Sequence, residues 1–279
     1  MKTLIVAEAG INHLGNIELC KKLIDGAVFA GADVFKLQKR NVNSTYTKEE
    51  LDKYRESPFG LSNRDLKEQL EFNEEEYDII KKYCDLQKID LMVSSWDLSS
   101  LEFMKKYDCK YNKVASARLG HEELLREIAK EGKYTFISTG MSTIQEIDYA
   151  INIFKEYDCS YELMSCNSTY PCPDEDLNLL TINTLKDTFN CKVGFSSHSP
   201  GIIPPVLAVV LGASSIEAHI TLDRTMYGSD QASSIEINGF KKMVDYIKDA
   251  EKQLGDGRKV ITPSEMKIRE KLWRTKDVQ

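Results

Sequence analysis

A closed barrel of eight parallel strands, each followed by a helix, is the fold the sequence predicts: the (β/α)8 or TIM-type arrangement of the α/β class. Three observations predict it. Eight short apolar, β-branched runs recur along the chain, the segments between them carry helical patterns rather than hairpin turns, and 279 residues suits one barrel of about 250 residues with modest additions. A doubly wound open sheet is the runner-up, but no strand is followed by the GxGxxG loop it would favour.

The eight runs are LIVAEA (4–9), VFKLQ (34–38), LMVSS (91–95), YNKVAS (111–116), TFIST (135–139), ELMSC (162–166), KVGFS (192–196) and SIEAH (215–219). Eight is also the number that closes a sheet around a side-chain-filled interior. The helices carry start signals of their own. Asn73, followed by three glutamates, caps a helix over about 74–88, because its side-chain oxygen accepts an orphan N–H and the acids face the positive dipole end. Ser142 with Gln145 reads as a capping box for a helix near 143–157. Asn238 begins an amphipathic stretch that stops at Gly255, a residue suited to the left-handed C′ position. Thr262, Pro263 and Glu265 open a last short helix ending near Trp273. One connection breaks the rhythm. Residues 39–72, with Pro58, Gly60 and many charges, separate the second strand from its helix and read as a functional loop, a lid or a subunit contact. No repeat or composition shift marks a second domain, so residues 1–279 read as a single barrel.

Composition narrows the function classes. A hydrophobic fraction of 42% with 29% charged residues is ordinary for a water-soluble globule, and no run approaches the roughly 20 apolar residues of a membrane span. The start, MKTLIVAEAG, lacks the apolar region of a secretory signal and reads as a first strand, which makes a cytoplasmic location the expectation. A net charge of −7 argues against a nucleic-acid partner while leaving room for a local cationic pocket. Seven cysteines without a CxxC pair read as reduced packing thiols. Cys166 and Cys172 lie nearest the expected site, with no base evident beside them.

In such a barrel the chemistry sits at the C-terminal strand ends, and the unusual residues of this chain cluster there. Glu8, Asn12 and His13 follow strand one; Lys36 and Gln38 end strand two; Lys113 and Ser116 end strand four; Ser138 ends strand five. Ser168 and Tyr170 follow strand six, Ser196 and His198 end strand seven, and Glu217 and His219 end strand eight. A parallel strand buried on both faces should be almost wholly apolar, so Lys36, Lys113 and Glu217 need partners. They could merely neutralise one another or Glu8. Pairing alone would not call for so many hydroxyls beside the lysines, whereas two ammoniums with Ser116, Ser138 and Ser196 make a cradle for a phosphate and a carboxylate. His198 and His219 come from neighbouring strands roughly 5 Å apart, close enough to share one ion. Two imidazoles completed by water and substrate oxygens suit a labile divalent metal, Mn²⁺ first and Mg²⁺ or Co²⁺ as alternatives, better than a closed zinc site. Local hydrogen bonding of each imidazole is the competing explanation. His121, at a helix start, reads as a surface residue; His13 reads equally as a site residue or a structural donor.

The segments AEAGINHLGN, FKLQKR, STGMST, STYPCP, GFSSHSPG and IEAHITLDR with GSD further on, in order from residue 7 to about 237, resemble the N-acetylneuraminate synthase family. The resemblance implies a metal-dependent condensation of phosphoenolpyruvate with the open-chain aldehyde of N-acetylmannosamine or a related amino sugar, giving a nonulosonic acid and phosphate. It implies phosphoenolpyruvate contacts at Lys36, Lys113, Ser116, Ser138, Ser196 and Tyr170, metal ligands at His198 and His219, sugar contacts at Gln38 and Asp230, and acids near the metal and its water at Glu8 and Glu217. A homodimer is expected. This chain is too short for the C-terminal antifreeze-like domain that places a partner's arginine in the site of many members, as in a shorter subgroup resembling it through YTKEEL, RESPFG and GSDQASS. It also has Arg118 where the pattern has a glutamate sugar contact, so Arg118, Arg55 and Arg64 are candidates to replace that arginine. Close rivals are phosphoenolpyruvate condensations that make seven- or eight-carbon sugar acids. A Schiff-base aldolase or lyase using Lys113 or Lys36 and an inactive barrel kept as a binding module are more distant ones.

Overall fold

The computed structural model describes residues 2–273. Its eight long strands are β1 (Leu4–Gly10), β2 (Val34–Lys39), β3 (Asp90–Ser95), β4 (Asn112–Val114), β5 (Thr135–Ser138), β6 (Tyr161–Cys166), β7 (Val193–Ser197) and β8 (Ser215–Thr221). Each pairs in parallel with the next and β8 returns to β1, so the sheet closes as the eight apolar runs predict. Strand four is shorter than its run: Ser116–Arg118 leave the sheet as a 3₁₀ turn. The register puts Glu8 between Lys36 and His219, Ser94 opposite Lys113, and Ser196 between Cys166 and Glu217.

Side chains two residues apart on a strand share a face, and that rule divides the barrel interior into levels. Val6, Val34, Met92, Phe136 and Met164 form one apolar cluster inside the lower barrel. Each stands two positions before a polar residue of the mouth: Glu8, Lys36, Ser94, Ser138 and Cys166 respectively. The charged level therefore rests on a packed hydrophobic floor. Below that floor Glu162 accepts hydrogen bonds from the Tyr134 hydroxyl (2.9 Å), Ser214 (2.8 Å) and Ser215, which closes the base. The larger core lies outside, where barrel strands meet the helices through Leu23, Phe154, Phe195 and Phe240.

The helices between strands are α1 (Ile17–Ala30), α2 (Glu74–Gln87), α3 (Leu98–Lys105), α4 (Glu122–Lys130), α5 (Ile144–Glu156), α6 (Thr181–Phe189) and α7 (Ile203–Val210), followed by α8 (Ile237–Leu254) and α9 (Pro263–Leu272). Asn73 caps α2 as expected, with Glu76 returning the bond to complete a capping box, and Thr262 and Glu265 form one on α9. Helix α5 departs from expectation by one residue. Thr143, not Ser142, is its N-cap, and Glu146, not Gln145, returns the bond to the Thr143 N–H at 2.7 Å. A carboxylate is the stronger acceptor for an N–H at the positive helix end, which favours this register. Thr143→Ala should therefore cost about 1 kcal/mol in chemical denaturation, while Ser142→Ala should change stability by less than about 0.5 kcal/mol.

Residues 39–72, read from the sequence as one long loop, contain secondary structure of their own. They hold short helices at Val42–Thr45, Lys48–Leu51 and Asn63–Gln69 and an antiparallel hairpin of Tyr54–Ser57 with Gly60–Ser62. Gly60 is required at φ +152°, because a Cβ there would stand 2.4 Å from the Asp65 carboxylate that caps the following turn. The segment is anchored by Asp97, which accepts from the Asn41 N–H (2.7 Å), and by Glu71, which accepts from the Arg40 N–H (3.0 Å). Among the described residues no helix is long and apolar enough to cross a membrane, and all seven cysteines are unpaired thiols.

Candidate active site

The mouth is a cleft of about 180 Å³ at the C-terminal strand ends. Its floor is a buried network of charges. Lys36 is paired with Glu8 and lies 3.5 Å from Glu217 Oε1; Lys113 lies 3.3 Å from the same oxygen and donates to Ser138. The Ser196 hydroxyl also donates to it, at 3.1 Å. Burial opposes the charged forms here, but Lys113 and Lys36 outweigh it at Glu217 and hold that carboxyl down to about 2. Burial likewise works against Lys36, yet Glu217 and Glu8 raise its pKa; at Lys113 burial prevails and lowers it. Mutual neutralisation of these charges is thus visible directly: the lysines hold carboxylates, and Glu217 Oε2 is buried without a hydrogen-bond partner.

The walls bring together most of the residues expected from the sequence. Gln38 donates to Glu8 Oε1 at 2.9 Å, and Ser116, Ser138, Ser168 and Tyr170 face the same cleft. Gly140 makes this wall possible. A Cβ at that position would stand 2.3 Å from the Ser168 hydroxyl and 2.8 Å from that of Ser116, and its N–H donates to Ser116 at 3.1 Å. Only a residue without a side chain keeps both hydroxyls in place.

The two imidazoles meet at the rim, with ring centroids 5.5 Å apart. Tyr170 stacks on His198 at 4.0 Å and shares a 2.7 Å hydrogen bond with its Nε2. Whether the pair fits a divalent ion is tested by its outer contacts, since a ligating histidine normally gives its second nitrogen to a carbonyl or carboxylate. His198 meets this test, its Nδ1 bonded to the Asn167 carbonyl; His219 Nδ1 has no hydrogen-bond partner and only faces the Asp230 carboxylate, 3.8 Å away. Burial lowers the pKa of His219 and favours the neutral, ligating ring. No group of three or more protein ligands surrounds the pair among the described residues, so water or substrate oxygens would have to complete the coordination shell.

Several sequence expectations change. Asp230 is not part of the cleft wall but stands behind His219. Arg118 also lies outside the lining: its guanidinium packs over Trp96, which does line the cleft, at 5.1 Å. Arg55 bonds Asn63, and Arg64 bonds Asn43 and Glu68, so both serve the 39–72 segment. His13 is a structural residue, buried against Phe72 at 4.2 Å, accepting from the Gly15 N–H, with burial pushing its pKa to about 3. His121 is not a free surface group; it caps α4 through the Leu124 N–H. Cys166 does have a base beside it, with its sulfur 3.8 Å from His198 Nδ1. Ser94, Trp96, Met141 and Arg40 were missed. Arg40 bonds Gln38 and stacks on Trp96 at 4.6 Å, and the Trp that directly follows strand three was the available signal.

Fold and site together define a (β/α)8 enzyme with a mouth suited to a small anionic substrate. The family model described as NeuB family matches residues 23–259. The chain is 34% identical over 278 residues to the N,N'-diacetyllegionaminic acid synthase of Legionella pneumophila, covering 96% of this chain and 78% of that one. It is 40% identical over 267 residues to an uncharacterized protein of Methanocaldococcus jannaschii, covering 95% and 76%. Among solved structures it resembles the N-acetylneuraminic acid (sialic acid) synthetase of Leptospira borgpetersenii in complex with citrate, with a TM-score of 0.86, 31% identity, and 98% and 93% of the two chains covered. The chain belongs to the NeuB family and is a carbon–carbon bond-forming transferase of the sialic-acid-synthase type.

Proposed function

We propose that this enzyme joins phosphoenolpyruvate to the open-chain aldehyde of an N-acetylhexosamine, N-acetylmannosamine or a close relative, to give a nonulosonic acid and inorganic phosphate, with Mn²⁺ as the assisting ion. The observation that carries this reading is the convergence of Lys36 and Lys113 with the Ser116, Ser138 and Ser196 hydroxyls in the same cleft as the paired imidazoles. Point charges attract the phosphate and carboxylate of phosphoenolpyruvate, and the hydroxyls direct them. His198 and His219 would hold the metal, which when bound supplies Lewis-acid polarisation of the aldehyde oxygen.

The chain's own groups account for the rest. Lys36 and Lys113 fix phosphoenolpyruvate so that its C3 faces the aldehyde carbon, and Gln38 orients the sugar hydroxyls. The C3–C1 bond forms from the electron pair of the C2=C3 double bond and leaves the aldehyde oxygen as an alkoxide; water adds at C2, and the proton it gives up passes through Glu8 or Glu217 to that alkoxide. Phosphate then leaves C2, its charge held by the two ammoniums.

The test is phosphate release from phosphoenolpyruvate with a panel of aldehyde sugars, with and without EDTA, and mass spectrometry of the product. A product heavier than the sugar by a pyruvyl unit, formed only with metal, is expected; metal-independent turnover or release without sugar addition sinks the reading. The burial-lowered amine of Lys113 is the one observation that favours a Schiff-base lyase. Borohydride with pyruvate should leave Lys113 unmodified, because its nitrogen is held by Ser138 and by Glu217 at 3.3 Å rather than free to attack a carbonyl.

A further inference from the structure

Met141 holds a backbone conformation that its side chain disfavours. It stands third in the turn after β5, which the Ser142 N–H closes onto the Thr139 carbonyl at 3.3 Å, and its φ is +62°. Turns with a positive φ at that position normally use glycine or asparagine. Among the other described non-glycine residues with positive φ, Lys88, Asp108, Asp158, Asn178 and Asn190 are polar, and Leu14 packs against the cluster of Ile11, Leu66 and Leu70. Met141 is neither polar nor packed into a core: it is 71% exposed. The fold gains little from this thioether, while a side chain at such a φ costs stability.

What the side chain does line is the cleft, and it does so on an apolar arc. Trp96 directly follows β3, Ala115 and Ala117 follow β4, and Met141 follows β5. Those three strands are consecutive neighbours, so the four residues share one side of the rim. His198 and His219, from β7 and β8, stand on the other side of the mouth. Every other residue of the lining carries a polar or ionisable group.

We infer that Met141 determines acceptor specificity: its thioether closes an apolar arc that receives the methyl of the acceptor's N-acyl group. This rests on the condensation reading above and deepens it. The acyl methyl is the one apolar part of either substrate that stays unreacted. Every other carbon of an open-chain N-acetylhexosamine bears oxygen or nitrogen, and the methylene of phosphoenolpyruvate is the carbon that forms the new bond. An unbranched, polarisable thioether adapts to a small apolar group better than a stiffer side chain does.

The experiment measures thermal unfolding and phosphate release for the wild type, Met141→Gly and Met141→Leu. The acceptors are N-acetylmannosamine, N-propanoylmannosamine and mannose, at saturating phosphoenolpyruvate and Mn²⁺. Met141→Gly should unfold at the wild-type temperature or about 2 °C above it, because glycine takes the positive φ without strain. Its kcat/KM for N-acetylmannosamine relative to mannose should fall about tenfold, the scale of one lost apolar contact, through KM for the sugar with KM for phosphoenolpyruvate unchanged. The propanoyl sugar, whose extra methylene enters the vacated space, should gain on the acetyl sugar in Met141→Gly, and Met141→Leu should keep the wild-type order. A Tm of Met141→Gly several degrees below the wild type would mean that the side chain serves the fold, and overturns the inference. Unchanged acyl preferences in Met141→Gly, with turnover intact, overturn it while leaving the condensation reading in place. No phosphate release by the wild type with any of the three acceptors overturns that reading and this inference with it.

Discussion

Replacing His219 with alanine should lower metal-supported phosphate release by about three orders of magnitude, the scale of the several kcal/mol that a Lewis acid contributes to a polarised carbonyl. The size of the effect follows from the geometry. His219 is fully buried on β8, in register with Glu8, and is one of only two imidazoles at the rim. With no third protein ligand beside them among the described residues, its loss halves the protein's share of the coordination shell. Asp230→Asn should have a smaller effect, about 10- to 100-fold in Mn²⁺ affinity, because the amide still contacts His219 Nδ1 but no longer supplies a negative charge behind the ring. His121→Ala is the matched control: it removes an imidazole that caps α4 and touches nothing at the mouth. Calorimetric titration with Mn²⁺ and steady-state phosphate release read both quantities. Mn²⁺-stimulated turnover in His219→Ala within tenfold of the wild type would remove this residue from the metal site.

The positions of these groups were legible in the sequence for a physical reason. Parallel strands buried on both faces read as unbroken apolar runs, so a Lys or Glu at the end of such a run stands out, and Lys36, Lys113, Glu217 and the two histidines all do. Period-two alternation fixes which residues of one strand share a face, but not which residue of the next strand stands beside them, so pairing of Lys36 or Lys113 with Glu8 or Glu217 was legible only as a set of alternatives. Local degeneracy limited the helix starts: Ser142 with Gln145 and Thr143 with Glu146 both satisfy the capping pattern, and the stronger carboxylate acceptor of Glu146 favours the second. The segment 39–72 was illegible because its elements are three to seven residues long and are held by Asp97 from elsewhere in the chain and by Glu71 at its own far end. The Arg40–Trp96–Arg118 stack was missed because it joins three strand ends through ring faces, a contact with no spacing signature.

Glu217→Gln should destabilise the protein by about 3–5 kcal/mol, the usual cost of leaving a buried charge without its partner. For a chain of this length that is a fall in Tm on the order of 10 °C. One oxygen of Glu217 serves three donors, Lys36, Lys113 and Ser196, and an amide oxygen replaces the hydrogen bonds but not the charge. Two buried ammoniums would then share Glu8 alone, and Lys113, whose proton is already held less tightly, would be the first to give it up. The same argument predicts a rescue. An anion that binds only the folded state stabilises it in proportion to its differential affinity, so inorganic phosphate should raise the Tm of Glu217→Gln by more than it raises that of the wild type. Chloride at equal ionic strength should not, because it cannot bridge two ammoniums and the serine hydroxyls together. Thermal unfolding of both proteins across a phosphate series decides the matter. Equal phosphate shifts in the two would mean that the lysines and Glu217 form a closed structural network, and that the anion cradle lies elsewhere.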